Sequence, residues 1–519
     1  MRKYGCFVAL LCLPVFGLGA TLTFQSPGFD TPYYRIIWPL VVNQDGLRIK
    51  ELRITDRNWE DFFLFLGGQN VDIGKPLSKG TYEVHIDYAW RSGKDYKVLL
   101  ETFPENNPQK VTIQDAKGTA PGEGGIPQGK EGFYRIFRAE EQIGQTREAE
   151  ISYLTFTARK TDLEGSEWIL LEDSRQLEYQ ILDVKESTPP ENAADTHPAT
   201  LTHKITFPLD MPAFGKKILV LLLGTPSFSD DIGFAITGED LGKTVRNKSL
   251  SLEFHPISGQ INIIENVEDK IRLYNEAGVI HWNPGVFIPG VAWDHSFNWN
   301  PPPSFDEKIG KFLYINSRRG PLQKIKGVDL AVKYTIDKKA PYFISETSLV
   351  VNRDLGVKAI RNDEMVLYKE LFDTLIYKNK QDRIVQMPLE EKPGYPDGFV
   401  FAAPENLDWV GLLKLNTENK YGFFSLRISS LNTNLGTAGD WLNKPGTYFY
   451  APSSGKYVYW VRPLLYTWSE YPTRFLLTHV PAGSLFYEKN AYILLRLKKG
   501  YAKELDTLLL KLRNPVRIH

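Results

Sequence analysis

An all-β fold, with smaller N-terminal sandwiches followed by one large antiparallel sandwich, is what this sequence predicts. Three observations predict it. Short runs with the period of strands recur along most of the chain. Gly, Pro, Asn and Asp bound most of those runs. A helical period is strong only once, near the C-terminus.

The elements follow in chain order. Arg2 and Lys3 precede the apolar segment CFVALLCLPVFGLG, and Leu18-Gly19-Ala20 offers a small-residue cleavage site. Residues 1–20 therefore read as a secretory signal peptide. The segment is short for a membrane span, and no later stretch is long and apolar enough. Both cysteines, Cys6 and Cys12, lie inside it, so the mature chain would have no disulfide and no thiolate chemistry. A large exported chain without disulfides suits a bacterial periplasm or medium. Residues 21–115 read as a first β-sandwich, with 81–89 (TYEVHIDYA) as a strand. Residues 116–132 (AKGTAPGEGGIPQGKEG) read as a linker or long loop. Residues 133–245 read as a second β region, including the strand 218–223 and a shorter break at 186–198. Residues 246–519 read as the large sandwich, with strands at 249–254, 328–335 and 457–464. An amphipathic helix over 502–512, with Leu505, Leu508, Leu509 and Leu512 on one face, packs at its end.

Charge excludes some partners. The chain has 62 basic and 62 acidic side chains, and removing Arg2 and Lys3 leaves 60 against 62. Without clustered basic charge, neither nucleic acid nor an anionic membrane is expected to bind. The stretch GEDLGKT (238–244) mimics a phosphate loop, but it is one residue short between its glycines and leads into a strand. No G-x-S-x-G, H-E-x-x-H or calcium-loop motif occurs.

One segment has no ordinary explanation. Residues 281–303 read HWNPGVFIPGVAWDHSFNWNPPP, with two His, three Trp, three Asn and five Pro. It is too Pro-rich for a helix and too aromatic for a solvated loop. Three other runs share its character. Residues 311–319 put Phe312, Tyr314, Asn316 and Arg318 on one strand face. Residues 457–468 put Trp460, Arg462, Tyr466 and Trp468 on one face if the strand continues through Pro463. Residues 359–368 carry Arg361, Asp363 and Glu364 in a strand-like run. Trp and Tyr stack on sugar C–H patches, while Asn, Asp, Glu and Arg pair with hydroxyls and carboxylates. The expected partner is therefore a polysaccharide or oligosaccharide. Trp282, Asn283, Trp293, Asn298, Trp299, Asn300, Asn316, Trp460 and Arg462 are the expected binding residues. The rival reading is that these rings close the ends of a sandwich core.

LEFHPISGQINIIE (252–265), HWNP (281–284) and FYEKNAYILLRL (486–497) carry a resemblance. Over about residues 249–497 the chain resembles the super-sandwich of galactose-mutarotase-like domains. That fold is shared by mutarotases, several polysaccharide lyases and accessory domains of glycoside hydrolases. The resemblance implies a large antiparallel sheet with saccharide bound on its concave face.

The expected function is an exported carbohydrate-active protein, foremost a polysaccharide lyase on a uronate-containing chain. β-Elimination needs a carboxylate neutraliser, a base and an acid. Arg318 or Arg361, with Asn298 or Asn300, supplies the first. His281 or His295 is the base, and Tyr314 or Tyr466 the acid. A glycoside hydrolase would use two of Glu346, Asp363, Glu364 and Glu370. A sugar epimerase would pair a His with Glu364. A non-catalytic glycan-binding protein is the other class. No cofactor or metal is expected. His281 and His295 with Asp294 or Asp306 make a set of metal-binding types, but a 14-residue separation of the two His is no ligand signature, and no motif supports a divalent cation such as calcium.

Overall fold

The computed structural model describes most of residues 134–519 and, before them, chiefly the backbone strands of residues 19–119. Residues 1–18, 120–133, 161–167, 188–198, 227–231, 391–397, 434–445, 467–476 and some shorter stretches lie outside the described residues. Residues 1–18 of the expected signal segment and Trp468 therefore fall outside them, as do the side chains of Arg462 and Tyr466.

Antiparallel strands build the described chain, and its one α-helix is Tyr501–Arg513. Nearest the N-terminus, Gly19–Gln25, Asp95–Phe103, Arg48–Ile54 and Arg57–Asn58 form one sheet. Thr31–Val42 and Gly80–Trp90 centre a second. Lys117–Thr119, inside the expected linker, pairs with Thr31–Val42.

A middle sandwich follows. Its five-stranded sheet runs Arg175–Leu177, Trp168–Glu172, Lys216–Leu223, Tyr134–Glu140, Arg517–Ile518. Arg147–Arg159, Thr200–Met211 and Gln180–Ser187 form the facing sheet. Alternation buries Leu154, Phe156, Ile205, Phe207, Leu219 and Leu221 between them. The C-terminal strand thus returns to this sandwich, where Val516 joins the core and Arg147 donates to the Asn514 carbonyl at 2.8 Å.

The C-terminal body holds three further sheets, one of them, with nine strands, the largest among the described residues. A six-stranded sheet runs Ala292–His295, Gly285–Ile288, Ala359–Tyr368, Tyr457–Tyr466, Gly446–Pro452, Gly398–Ala403. The strand Tyr457–Tyr466 does continue through Pro463. A nine-stranded sheet includes Ser304–Ile309, Leu313–Pro321, Val328–Asp337, Tyr342–Val351, Leu485–Arg496 and Tyr421–Thr433 as neighbours. A five-stranded sheet of residues 235–273 adjoins both. One core joins all three: Leu367 and Val458 from the first, Val332, Phe343 and Leu494 from the second, Leu252 and Ile264 from the third. The helix lies on the back of the nine-stranded sheet, not at its end. Leu505 and Leu509 pack there with Trp409, Phe424, Leu426 and Ile493.

GEDLGKT is the turn between Ala235–Thr237 and Thr244–Arg246. Gly238 has φ +83°, and a Cβ there would lie 2.4 Å from the Gly242 carbonyl. No helix follows it, so it lacks the N-terminus that would hold a phosphate.

Candidate functional site

Two hydrogen-bonded networks lie on opposite faces of one strand, Ala359–Tyr368. Successive strand residues point to opposite faces. Asp363 faces the nine-stranded sheet, and Glu364 faces away, toward the 281–303 segment.

The inner network is centred on Asp363. Its Oδ1 meets His281 Nε2 at 2.7 Å, and its Oδ2 accepts from Asn490 at 2.6 Å and Tyr492 at 2.8 Å. His281 Nδ1 is hydrogen-bonded to the Tyr334 hydroxyl, which also reaches Gln260 Oε1 at 2.6 Å. The Tyr334 proton thus has two acceptors in reach. If it goes to Gln260, the His281 ring must donate from Nδ1; if it goes to His281, Nδ1 accepts. Arg318 stacks on the Tyr334 ring at 4.6 Å and donates to Gln260 at 2.8 Å and the Ser258 carbonyl at 3.2 Å. Its Nε and second terminal nitrogen are buried with no partner. Burial pushes the Tyr334 phenol up to about 12, against the pull of Arg318, and pushes Arg318 down.

The outer network is built by the irregular segment. Its strand residues 285–288 pair with Ala359–Tyr368, which carries Asn283 to Glu364. Asn283 donates to Glu364, and its Oδ1 accepts from His295 Nδ1 at 2.7 Å. Arg361 pairs with Glu364 and stacks on Trp293 at 4.3 Å. Trp293 stacks in turn on His295. Burial raises the Glu364 carboxyl above its usual range, although Arg361 and Asn283 oppose this. Burial, with Arg361 and Lys324 adding like charge, pushes His295 down to about 3.

The structure therefore splits the expected site. His281 and Arg318 belong to the inner network. His295, Asn283, Trp293, Arg361 and Glu364 belong to the outer one. His295, held neutral, makes a poor base at neutral pH, because so low a value gives little driving force for taking a proton. Tyr314 donates to Glu307 at 2.5 Å, and burial followed by that carboxylate raises its phenol, so it is tied into the sheet edge. Trp299 is buried in the core with its indole N–H on the Pro321 carbonyl. Trp460 is buried between Phe423 and Phe449. Both rings fill core volume, as the rival reading has it. Trp282 is half-buried beside Phe297 and Tyr459, with its N–H on the Val279 carbonyl. Asn298 accepts from the His295 backbone at 2.9 Å, shaping the turn, and Asn300 is exposed. Asn316 is buried with its Oδ1 unpaired. For Arg462 and Tyr466 only the backbone pairing is described, opposite Asp363 and Ala359.

Sequence reasoning missed Tyr334, Gln260, Asn490 and Tyr492. A signal existed for two of them: in FYEKNAYILLRL, Glu488, Asn490 and Tyr492 fall at alternate positions, on a face they share with the apolar Phe486 and Leu494. Among the described residues, no group of three or more His, Cys, Asp and Glu is placed to hold a metal ion. No helix among them is long and apolar enough to cross a membrane.

Among the solved structures similar to this chain are an α-mannosidase and galactose mutarotase-like proteins. An α-mannosidase from Enterococcus faecalis matches 74% of this chain and 46% of its own, at 8% identity and a TM-score of 0.46. This chain thus spans about half the length of that protein. A galactose mutarotase-like protein from Lactobacillus casei matches over 50% of this chain and all of its own, at 9% identity and a TM-score of 0.32. One from Clostridium acetobutylicum matches over 52%, at 7% identity and a TM-score of 0.30. No protein-family model matches the sequence, and no curated protein does.

Proposed function

We propose that this is an exported carbohydrate-active protein that cleaves a uronate-containing polysaccharide by β-elimination at the inner network. One observation carries the reading: the Asp363–His281–Tyr334 chain lies against Arg318, a guanidinium with two buried donor nitrogens lacking partners. Those donors suit a carboxylate, which a guanidinium takes in a two-point fork. Held there, the uronate carboxylate makes the C5 proton more acidic. His281, oriented by Asp363, takes that proton through Tyr334: the hydroxyl's own proton moves to His281 Nδ1 as its oxygen takes the one from C5. The C5–H electrons form the C4–C5 double bond, the C4–O4 bond breaks, and the Tyr334 hydroxyl gives its proton to O4. The roles expected of His281 and Arg318 are kept, and the acid moves from Tyr314 or Tyr466 to Tyr334.

Hydrolysis by the neighbouring carboxyls fits less well. Asp363 and Glu364 point to opposite faces of one strand, so they cannot flank one glycosidic bond. A second reading, with no chemistry at this network, is favoured by burial: His281 and Asp363 are 0% and 1% exposed, as the members of a structural polar core would be. Export rests on residues 1–20.

The test incubates the full chain with a panel of pectate, alginate, hyaluronan and chondroitin. Elimination predicts new ultraviolet absorbance from the unsaturated uronate. Tyr334→Phe and His281→Gln should each lower its rate by about 10²–10⁴. Binding to a panel member with no absorbance would replace this reading with the non-catalytic one. Reducing ends released without absorbance would replace it with hydrolysis.

A further inference from the structure

The inner face of the nine-stranded sheet carries more polar groups than the acid–base network uses. Register partners across antiparallel strands share a face. Arg318 pairs with Val332, Val332 with Thr347, and Thr347 with Glu488, which puts these four in one row across the sheet. A neighbouring row runs Asn316, Tyr334, Ser345, Asn490, Arg427. Arg427 and Glu488 are paired at 2.5 Å, and both are buried.

These two rows hold a concentration of unmet hydrogen-bonding capacity. The buried atoms without a partner include Nε and one terminal nitrogen of Arg318, Thr347 Oγ1, Ser345 Oγ, Glu488 Oε2, and both terminal nitrogens of Arg427. Buried polar atoms are almost always satisfied, so a group of them on one face faces something polar that belongs there. Bound water would satisfy single groups. It gives no reason for two guanidiniums with open donors four strands apart, one in each of two neighbouring rows.

The spacing describes the occupant. From Arg318 to Glu488 the row crosses three inter-strand steps, about 14 Å, and Arg427 is one strand further. Hydroxyl-type partners lie between, at Thr347 and Ser345. Asp363 covers the sheet at Asn490 and Tyr492, but the Arg318–Thr347–Glu488 row passes beside that plug.

We infer that Arg427, held by Glu488, forms a second anion subsite, so that the protein takes an extended oligosaccharide with one acidic sugar at Arg318 and another at Arg427. This rests on the proposed saccharide-handling role of the inner face. It does not depend on elimination, because binding alone reads it. Glu488 is the positioning residue: it fixes Nε and leaves the two terminal nitrogens to the ligand.

The experiment is calorimetric titration of the full chain with a disaccharide and a tetrasaccharide cut from each panel polymer. The wild-type chain should bind the tetrasaccharide of at least one polymer about tenfold or more tightly than its disaccharide, the size expected when a charged hydrogen-bonding group gains its partner. Arg427→Gln should remove that preference and leave disaccharide binding unchanged. Arg427→Lys, which keeps the charge but loses the fork, should restore part of it. Thr347→Val should weaken the tetrasaccharide alone. Equal affinity for both lengths in the wild-type chain would overturn the subsite. So would an Arg427→Gln chain, folded by circular dichroism, that keeps the length preference or weakens both lengths equally. Length-dependent binding lost in Arg427→Gln, with no unsaturated product, would uphold the subsite and sink only the elimination reading. No binding of any panel oligosaccharide would overturn both.

Discussion

Asp363 and Glu364 are adjacent carboxyls on one strand, both fully buried, and they meet opposite surroundings. Asp363 is surrounded by donors: His281, Asn490 and Tyr492 all point hydrogen at it. Glu364 has a guanidinium and one amide, and burial still raises its carboxyl. The inner face is a polar network with capacity left over. The outer face is a stack of Arg361, Trp293 and His295 with little to spare. Burial is common to both, and the partners differ: the facing sheet and His281 supply those of Asp363, Arg361 and Asn283 those of Glu364, and the two side chains leave the strand on opposite faces.

The largest expected effect tests the outer face by acid. Burial, with Arg361 and Lys324 adding like charge, pushes His295 from its ordinary 6.5 down to about 3 in the fold. Below pH 6.5 the unfolded chain binds a proton that the folded chain does not, so stability falls as pH drops from about 6.5 toward 3. A shift of that size is worth as much as about 5 kcal/mol. Denaturant unfolding at a series of pH values should show the loss, and His295→Gln should flatten it. An unchanged slope in that variant would remove His295 as the cause. Glu364 works the other way. Its folded value is raised, so its contribution is present at low pH and lost as pH rises through that value.

A paired substitution breaks the comparison directly. Asp363→Ala leaves three buried donors unpaired and should cost about 3–5 kcal/mol. Glu364→Ala leaves Arg361 stacked on Trp293 and partly in water, and should cost about 1–2 kcal/mol. Equal costs in chemical denaturation would mean that the two faces do not differ. Elimination activity should disappear in the first variant and persist in the second. The smallest effect sharpens the choice of acid. Tyr314→Phe removes one hydrogen bond to Glu307, which still has Lys243, for about 1 kcal/mol. Its kcat should match the wild-type value, while the same atom removed from Tyr334 should lower kcat by about 10²–10⁴. A large kcat loss in Tyr314→Phe would return the acid to the sheet edge.

Much of the fold was legible along the chain. Residues 359–368 and 457–464 read as strands, and so they are. Leu505 and Leu509 marked the buried stripe of the helix, because a helical period of apolar residues has one physical use in a soluble body. The site was legible only by residue type. The 281–303 segment supplies residues to both networks. Its rings were divided among the core (Trp299), the outer stack (Trp293) and a half-buried platform (Trp282). Composition gives those three rings the same weight.

What the sequence by itself determined is the set of faces. Alternation commits Asn316 and Arg318 to one side of their strand and separates Asp363 from Glu364, because neighbouring side chains in a strand must diverge. What only the tertiary structure decided is which faces meet. Tyr334 lies 53 residues from His281, and Asn490 lies 127 from Asp363. No local rule pairs residues so distant. Their contact exists because two sheets closed over one core, and hydrophobic burial, which is indifferent to sequence separation, selected that closure.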